Sequence, residues 1–168
     1  MNLAILIISY KSITKLEKCL SYIGNTNEVI IVENSDNAEI KSKIESKYKN
    51  CKVIINNDNL GWSRAANIGL KEINTQYVII LNPDTLIKSN QFVEIENEIQ
   101  NLNGNFTLAT PYYDELVDFN KNKDFDKDLN MTKISNDSEA KTSKVDLVKG
   151  SALIINLYKF ENRKIYDE

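Results

Sequence analysis

No histidine occurs anywhere in the 168 residues. That absence removes the commonest general base, the serine triad and the usual zinc ligand sets, so any acid–base chemistry must rest on carboxylates, lysine or tyrosine. Cysteine is nearly as scarce: Cys19 and Cys51 are far apart in the chain and read as two reduced core thiols, with no histidine to complete a metal site or a Cys–His pair. Five glycines and two prolines are too few for a fibrous repeat or a low-complexity chain. No excess of positive charge exists either. Lys and Arg number 21 against 24 Asp and Glu, a net charge of -3 with both signs interspersed, and phosphate-backbone binding needs concentrated cations, so nucleic acid is not an expected partner. The longest apolar run, Leu3 to Ile8, is too short to span a bilayer and follows no cationic segment; it predicts a buried strand and a cytoplasmic protein. Gly61 and Gly69 stand alone, with no glycine-rich turn after the first strand, which excludes a dinucleotide or P-loop fingerprint.

What is present alternates. Leu3–Ser9 predicts a strand covered on both faces, followed by a helix that Ser12 is placed to cap, with Ile13, Leu16, Leu20 and Ile23 at helical spacing and Gly24-Asn25 as the stop. The order repeats: a strand over 28–33, a helix over 38–48, a strand over 51–55, a helix over 62–73 and a strand over 77–81. A fourth amphipathic helix follows, marked by Phe92, Ile95, Ile99 and Leu102. This pattern predicts an α/β fold with a mostly parallel sheet and helices on both faces. Between 113 and 144 the chain turns polar, which suggests a surface excursion, and order returns with a strand over 145–155. The expected organisation is one domain: a core over 1–112, the excursion over 113–144 and the start of a further region over 145–168.

Ligands bind open α/β sheets at the carboxyl ends of the strands. Here those ends carry Ser9-Tyr10, Glu33-Asn34-Ser35-Asp36, Asn57-Asp58-Asn59-Leu60-Gly61-Trp62 and Asn82-Pro83-Asp84-Thr85. Asn, Asp and Ser also favour turns and helix starts, so no single cluster is decisive. Asp84 directly follows an apolar strand. A hard divalent cation on a diphosphate needs only one or two carboxylates, so Asp84 is the candidate ligand for Mg2+ or Mn2+. Asp118–Asp124 departs from a calcium loop at its sixth and twelfth positions, occupied by Lys123 and Leu129, and reads as a solvated loop.

The ordered segments Ile7–Ser12, Ile30–Asp36, Asn59–Gly69, Tyr77–Thr85 and Val148–Ile154 resemble family 2 glycosyltransferases, particularly the rhamnosyltransferase-like branch. The resemblance implies a GT-A (nucleotide-diphospho-sugar transferase) Rossmann-like fold. It implies nucleotide contacts from Ser9, Tyr10, Glu33, Asn34, Asn59, Gly61, Trp62, Asn67 and Asn82, with Glu33 standing where the family more often has Asp. Asn82 and Asp84 match the Asp-X-Asp metal motif with its first Asp replaced, and Gly150 and Ser151 match the strand start facing donor sugar and acceptor. The implied activity is inverting transfer of a sugar from a UDP- or dTDP-sugar to a glycan or lipid-linked acceptor in polysaccharide biosynthesis, with peripheral contact at the inner face of the membrane.

Inversion needs a base opposite the leaving group. In the family that carboxylate follows a segment matched here by Ile165-Tyr166-Asp167-Glu168, so the base is expected beyond Glu168 and the chain reads as truncated. An apolar face left uncovered by such truncation predicts self-association. A catalytically incomplete nucleotide-sugar-binding module and a nucleotidyltransferase-like α/β enzyme are the alternatives.

Overall fold

The computed structural model describes residues 3–111, 152–161 and 165–166. Its elements are β1 (Leu3–Ser9), α1 (Ile13–Ile23), β2 (Val29–Glu33), α2 (Ala38–Lys47), β3 (Cys51–Ile55), α3 (Trp62–Lys71), β4 (Tyr77–Leu81), α4 (Ser89–Asn101), β5 (Leu108–Ala109) and β6 (Ala152–Asn156), with a 3-10 turn at Leu157–Lys159. Every residue of β1, β2 and β4 is buried, as the unbroken apolar runs predict for strands covered on both faces. The strand order is β3-β2-β1-β4-β6-β5. The first four run parallel, and β6 pairs antiparallel with both β4 and β5.

Strand alternation divides the core. Leu3, Ile5 and Ile7 point toward α1, α2 and α4, packing with Leu16, Leu20, Ile44 and Phe92. Ala4, Leu6 and Ile8 face α3, packing with Ala65, Ala66 and Leu70. On that side α3 lies close to the sheet because Gly69 has no side chain: a Cβ there would overlap Leu6. The chain winds outward from β1 through β2 to β3, then returns over the opposite face to β4. A topological switch point therefore lies between the tips of β1 and β4.

The structure differs from expectation in small ways. Ser12 makes no side-chain cap; its hydroxyl donates to the Tyr10 carbonyl at 2.8 Å, tightening the β1–α1 turn instead. The two-residue β5 carries no sequence periodicity to announce it. The excursion over 113–144, residues 145–151 and Asp167-Glu168 lie outside the described residues.

Candidate functional site

Register sets the site. Ser9 pairs with Glu33 across β1 and β2, and Ile7 pairs with Leu81 across β1 and β4, so the three strand tips are neighbours. At the usual strand spacing, the tips of β2 and β4 stand roughly 10 Å apart with β1 between them. Ser9 and Glu33 follow the odd-numbered residues of their strands onto the α1 face and are both fully buried. Tyr10, next along, is 47% exposed.

Glu33 is satisfied on one side only. Its Oε1 accepts from the Lys11 backbone N–H at 3.0 Å and from Ser35 Oγ at 2.5 Å. Among the described residues its Oε2 has no hydrogen-bond partner, and neither has Ser9 Oγ. A buried acceptor left without a donor costs about 1–3 kcal/mol, more when charged. The turn over these atoms is strained as well: Lys11 adopts φ 49, unusual for a residue with a side chain, and its ammonium lies 5.4 Å from the Tyr10 ring centroid.

Asn34 is the opposite case. Its Nδ2 donates to Asn59 Oδ1 at 2.8 Å and to the Gly61 carbonyl at 3.3 Å, while its Oδ1 accepts from Asn56 Nδ2 at 2.9 Å and Leu60 N–H at 3.1 Å. Two donors and two acceptor sites are all an amide has, so no capacity remains for a ligand. Asn59 Oδ1 also accepts from the Gly61 N–H at 3.1 Å. Gly61 turns the chain with φ 80 into the N-terminus of α3, where Trp62 begins the helix half-buried. Asn34 thus holds the β3–α3 loop in place, and Asn59 and Gly61 present that loop at the rim.

Beyond β4, Asn82-Pro83-Asp84-Thr85 forms a β-turn closed by Thr85 N–H to the Asn82 carbonyl at 3.0 Å. Proline sits at its second position, where a fixed φ suits the turn, and Asp84 occupies the third. The Asp84 side chain is 57% exposed, and Lys15 Nζ from α1 lies 3.2 Å from its Oδ2. Its charge is felt on that face: the Cys19 thiol is pushed up to about 12, first by burial and then by Asp84. Among the described residues no three His, Cys, Asp or Glu side chains gather into a metal cage. One exposed carboxylate oxygen donor suits a hard cation whose remaining ligands are substrate phosphates and water, and does not suit a structural site.

Asn67 departs most from its expected place beside the donor. Buried on α3, it donates to the Tyr166 carbonyl at 2.8 Å and accepts from the Ile165 and Tyr166 N–H groups at 3.4 and 3.3 Å, fastening a segment some hundred positions away. Trp62 meets the Tyr166 ring edge-on at 5.1 Å, which accounts for its indole as packing. Burial raises the Tyr166 hydroxyl above its ordinary value, and among the described residues that hydroxyl has no partner. Gly150, Ser151 and the region expected to precede the base lie outside the described residues. Lys15 belongs to none of the motifs that mark the strand tips in the sequence. The available signal was a lysine in the first turn of a helix that has no acidic residue there.

The chain is similar to known proteins. The curated low-salt glycan biosynthesis hexosyltransferase Agl10 of Haloferax volcanii is 27% identical over 114 residues, which cover 66% of this chain and 36% of that protein. The chain therefore spans about a third of the length of that relative. Among solved structures, the mannosyltransferase PcManGT from Pyrobaculum calidifontis, in complex with GDP-Man and Mn2+, shares a TM-score of 0.69 at 12% identity, covering 94% of this chain and 45% of its own. S. aureus TarS 1-349 in complex with UDP-GlcNAc shares a TM-score of 0.51 at 22% identity, covering 61% and 32%. These likenesses establish the GT-A fold. The profile described as "Glycosyl transferase family 2" matches residues 4–156, and the chain belongs to that family.

Proposed function

We propose that this chain binds the donor in sugar transfer, taking a UDP- or dTDP-sugar at the tips of β1, β2 and β4. The observation that carries this reading is the unpartnered pair Glu33 Oε2 and Ser9 Oγ, buried at matched positions of adjacent strands. A carboxylate oxygen only accepts, whereas a hydroxyl both donates and accepts. Uracil and thymine present a ring N–H flanked by carbonyls, so the N–H satisfies Glu33 and a carbonyl takes the Ser9 proton. The strained Tyr10–Lys11 turn yields to admit the base, and the Tyr10 ring offers it a stacking surface. Asn34 keeps the β3–α3 loop, with Asn59 and Gly61, at the donor's edge.

Asp84 is the residue of this chain that would hold a divalent cation, Mg2+ or Mn2+. Bound there, the cation would offset the charge that gathers on the leaving diphosphate as the bond to the sugar breaks. Support comes from the bound ligands of the GT-A neighbours, GDP-Man with Mn2+ in one and UDP-GlcNAc in another. The complete reaction is inverting transfer to a glycan or lipid-linked acceptor in polysaccharide biosynthesis, at the inner face of the membrane. Among the described residues no helix is long and apolar enough to cross that membrane.

Isothermal titration calorimetry of UDP, dTDP and GDP, each with and without Mn2+, tests the reading. Binding of UDP or dTDP strengthened by Mn2+, with the gain abolished in Asp84→Asn, is expected. Equal affinity with and without metal, or preference for GDP, would overturn the metal or the base assignment respectively.

A further inference from the structure

Lys15 occupies the first turn of α1, the end of a helix where the macrodipole disfavours a cation, and no acidic residue there offsets it. Its ammonium instead reaches across the switch point to Asp84, 69 positions away, at 3.2 Å. Both side chains are more than half exposed, at 63% and 57%, and a pair so exposed contributes little to stability. The fold therefore gains little from a lysine that breaks a local rule, and local rules are broken most often where function requires it. The other lysine of this rim, Lys11, is turned over the Tyr10 ring.

Two consequences follow from the pair. A divalent cation approaching Asp84 must first displace the ammonium, so the cation binds poorly when it arrives alone. An ammonium released there stands beside the oxygens of any diphosphate that shares the cation with Asp84. We propose that Lys15 is a diphosphate-binding residue that exchanges partners, neutralising Asp84 in the free chain and turning to the donor diphosphate when a divalent cation takes Asp84. The exchange couples cation and donor binding, each making room for the other. It rests on the reading of Asp84 and the strand tips given above, and deepens it.

The test uses the whole chain, with free Mn2+ followed by electron paramagnetic resonance and UDP binding followed by calorimetry. Lys15→Met should bind Mn2+ alone roughly two- to fivefold more tightly, because a competing ion pair is gone. It should bind UDP in the presence of saturating Mn2+ roughly tenfold less tightly, because the charge-assisted contact made by the released ammonium is gone. Lys15→Arg should restore UDP binding, and Asp84→Asn should lose Mn2+ without losing metal-free UDP. Lys15→Met with unchanged Mn2+ and UDP affinities overturns the role of Lys15 and leaves the site reading standing. A wild-type chain that binds no UDP under any condition overturns both.

Discussion

Replacing Glu33 by glutamine should weaken binding while leaving stability nearly unchanged. The substitution keeps the shape of the side chain and its Oε1, which accepts from Lys11 N–H and Ser35 Oγ. It removes the charge and replaces Oε2, the buried oxygen without a donor. An uncompensated buried charge costs several kcal/mol even after relaxation. Against that, two charge-assisted bonds to Oε1 become neutral ones, a loss of about 1 kcal/mol each. The new Nε2 also brings buried N–H donors that need acceptors, at about 1–3 kcal/mol, so the net expectation is a change within about 1 kcal/mol in the ligand-free chain. Urea denaturation reads the stability change, and calorimetry with UDP reads binding. The amide presents a donor where the base N–H needs an acceptor, so UDP affinity should fall by at least roughly tenfold. A variant that loses more than about 1 kcal/mol, or that binds UDP as the wild type does, would show that Glu33 is a structural residue whose second oxygen has no role in recognition.

Further outcomes follow from neighbouring groups. Asn34→Ala deletes four hydrogen bonds that hold the β3–α3 loop; water reaches the exposed partners, so the loss should be about 2–4 kcal/mol in urea denaturation, with weakened UDP binding alongside. Gly69→Ala forces α3 away from Leu6 and should cost about 1–3 kcal/mol, measured the same way, while Gly61→Ala meets no steric contact and is strained only by its positive φ. Burial is the main cause that pushes Cys19 and Cys51 from 9.0 up to about 12. Between those values the unfolded chain loses protons that the folded chain keeps, so stability is intact below pH 9 and falls as pH rises toward 12, by up to about 1.4 kcal/mol per unit for each thiol. Urea midpoints at pH 8 and pH 10 should show that fall, smaller in Cys19→Ala, and neither thiol should react with iodoacetamide at pH 8 until the chain unfolds.

Most of the fold was legible because its information is local. Apolar runs such as Leu3–Ile8 and Tyr77–Leu81 declare strands buried on both faces, and Ile13, Leu16, Leu20 and Ile23 declare the inward stripe of α1. The antiparallel entry of β6 between β4 and β5 was not legible, since pairing direction depends on the path of the intervening chain. At the site, the polar strand tips were visible, but their division of labour was not. Glu33 and Asn34 are adjacent in sequence, equally polar and almost equally buried, and only three-dimensional hydrogen-bond accounting separates an oxygen left unmatched from an amide fully used. Asn67 was hidden for a different reason: its partners are Ile165 and Tyr166, and no local pattern on α3 points that far along the chain.

That division of labour has a chemical logic. An amide side chain both donates and accepts, so it can cross-link backbone to backbone and leave nothing over. Asn34 does this at the β3–α3 loop, and Asn156 does it at the far end of the sheet, donating to Gly104 and Phe106 and accepting from Gln76 and Tyr158. A carboxylate only accepts. On the β2 tip both donors reach one oxygen of Glu33, and the other has no donor among the described residues. The rim is thus held by Asn34, whose amide is fully used, beside two carboxylates that differ in setting: Glu33, buried, with Oε2 unpartnered among the described residues, and Asp84, exposed and paired with Lys15. Exchanging the two kinds of residue should reverse their roles. Asn34→Asp would repel Asn59 Oδ1 and the Gly61 carbonyl and release the loop, whereas Glu33→Gln would set an N–H where the proposed base contact needs an acceptor.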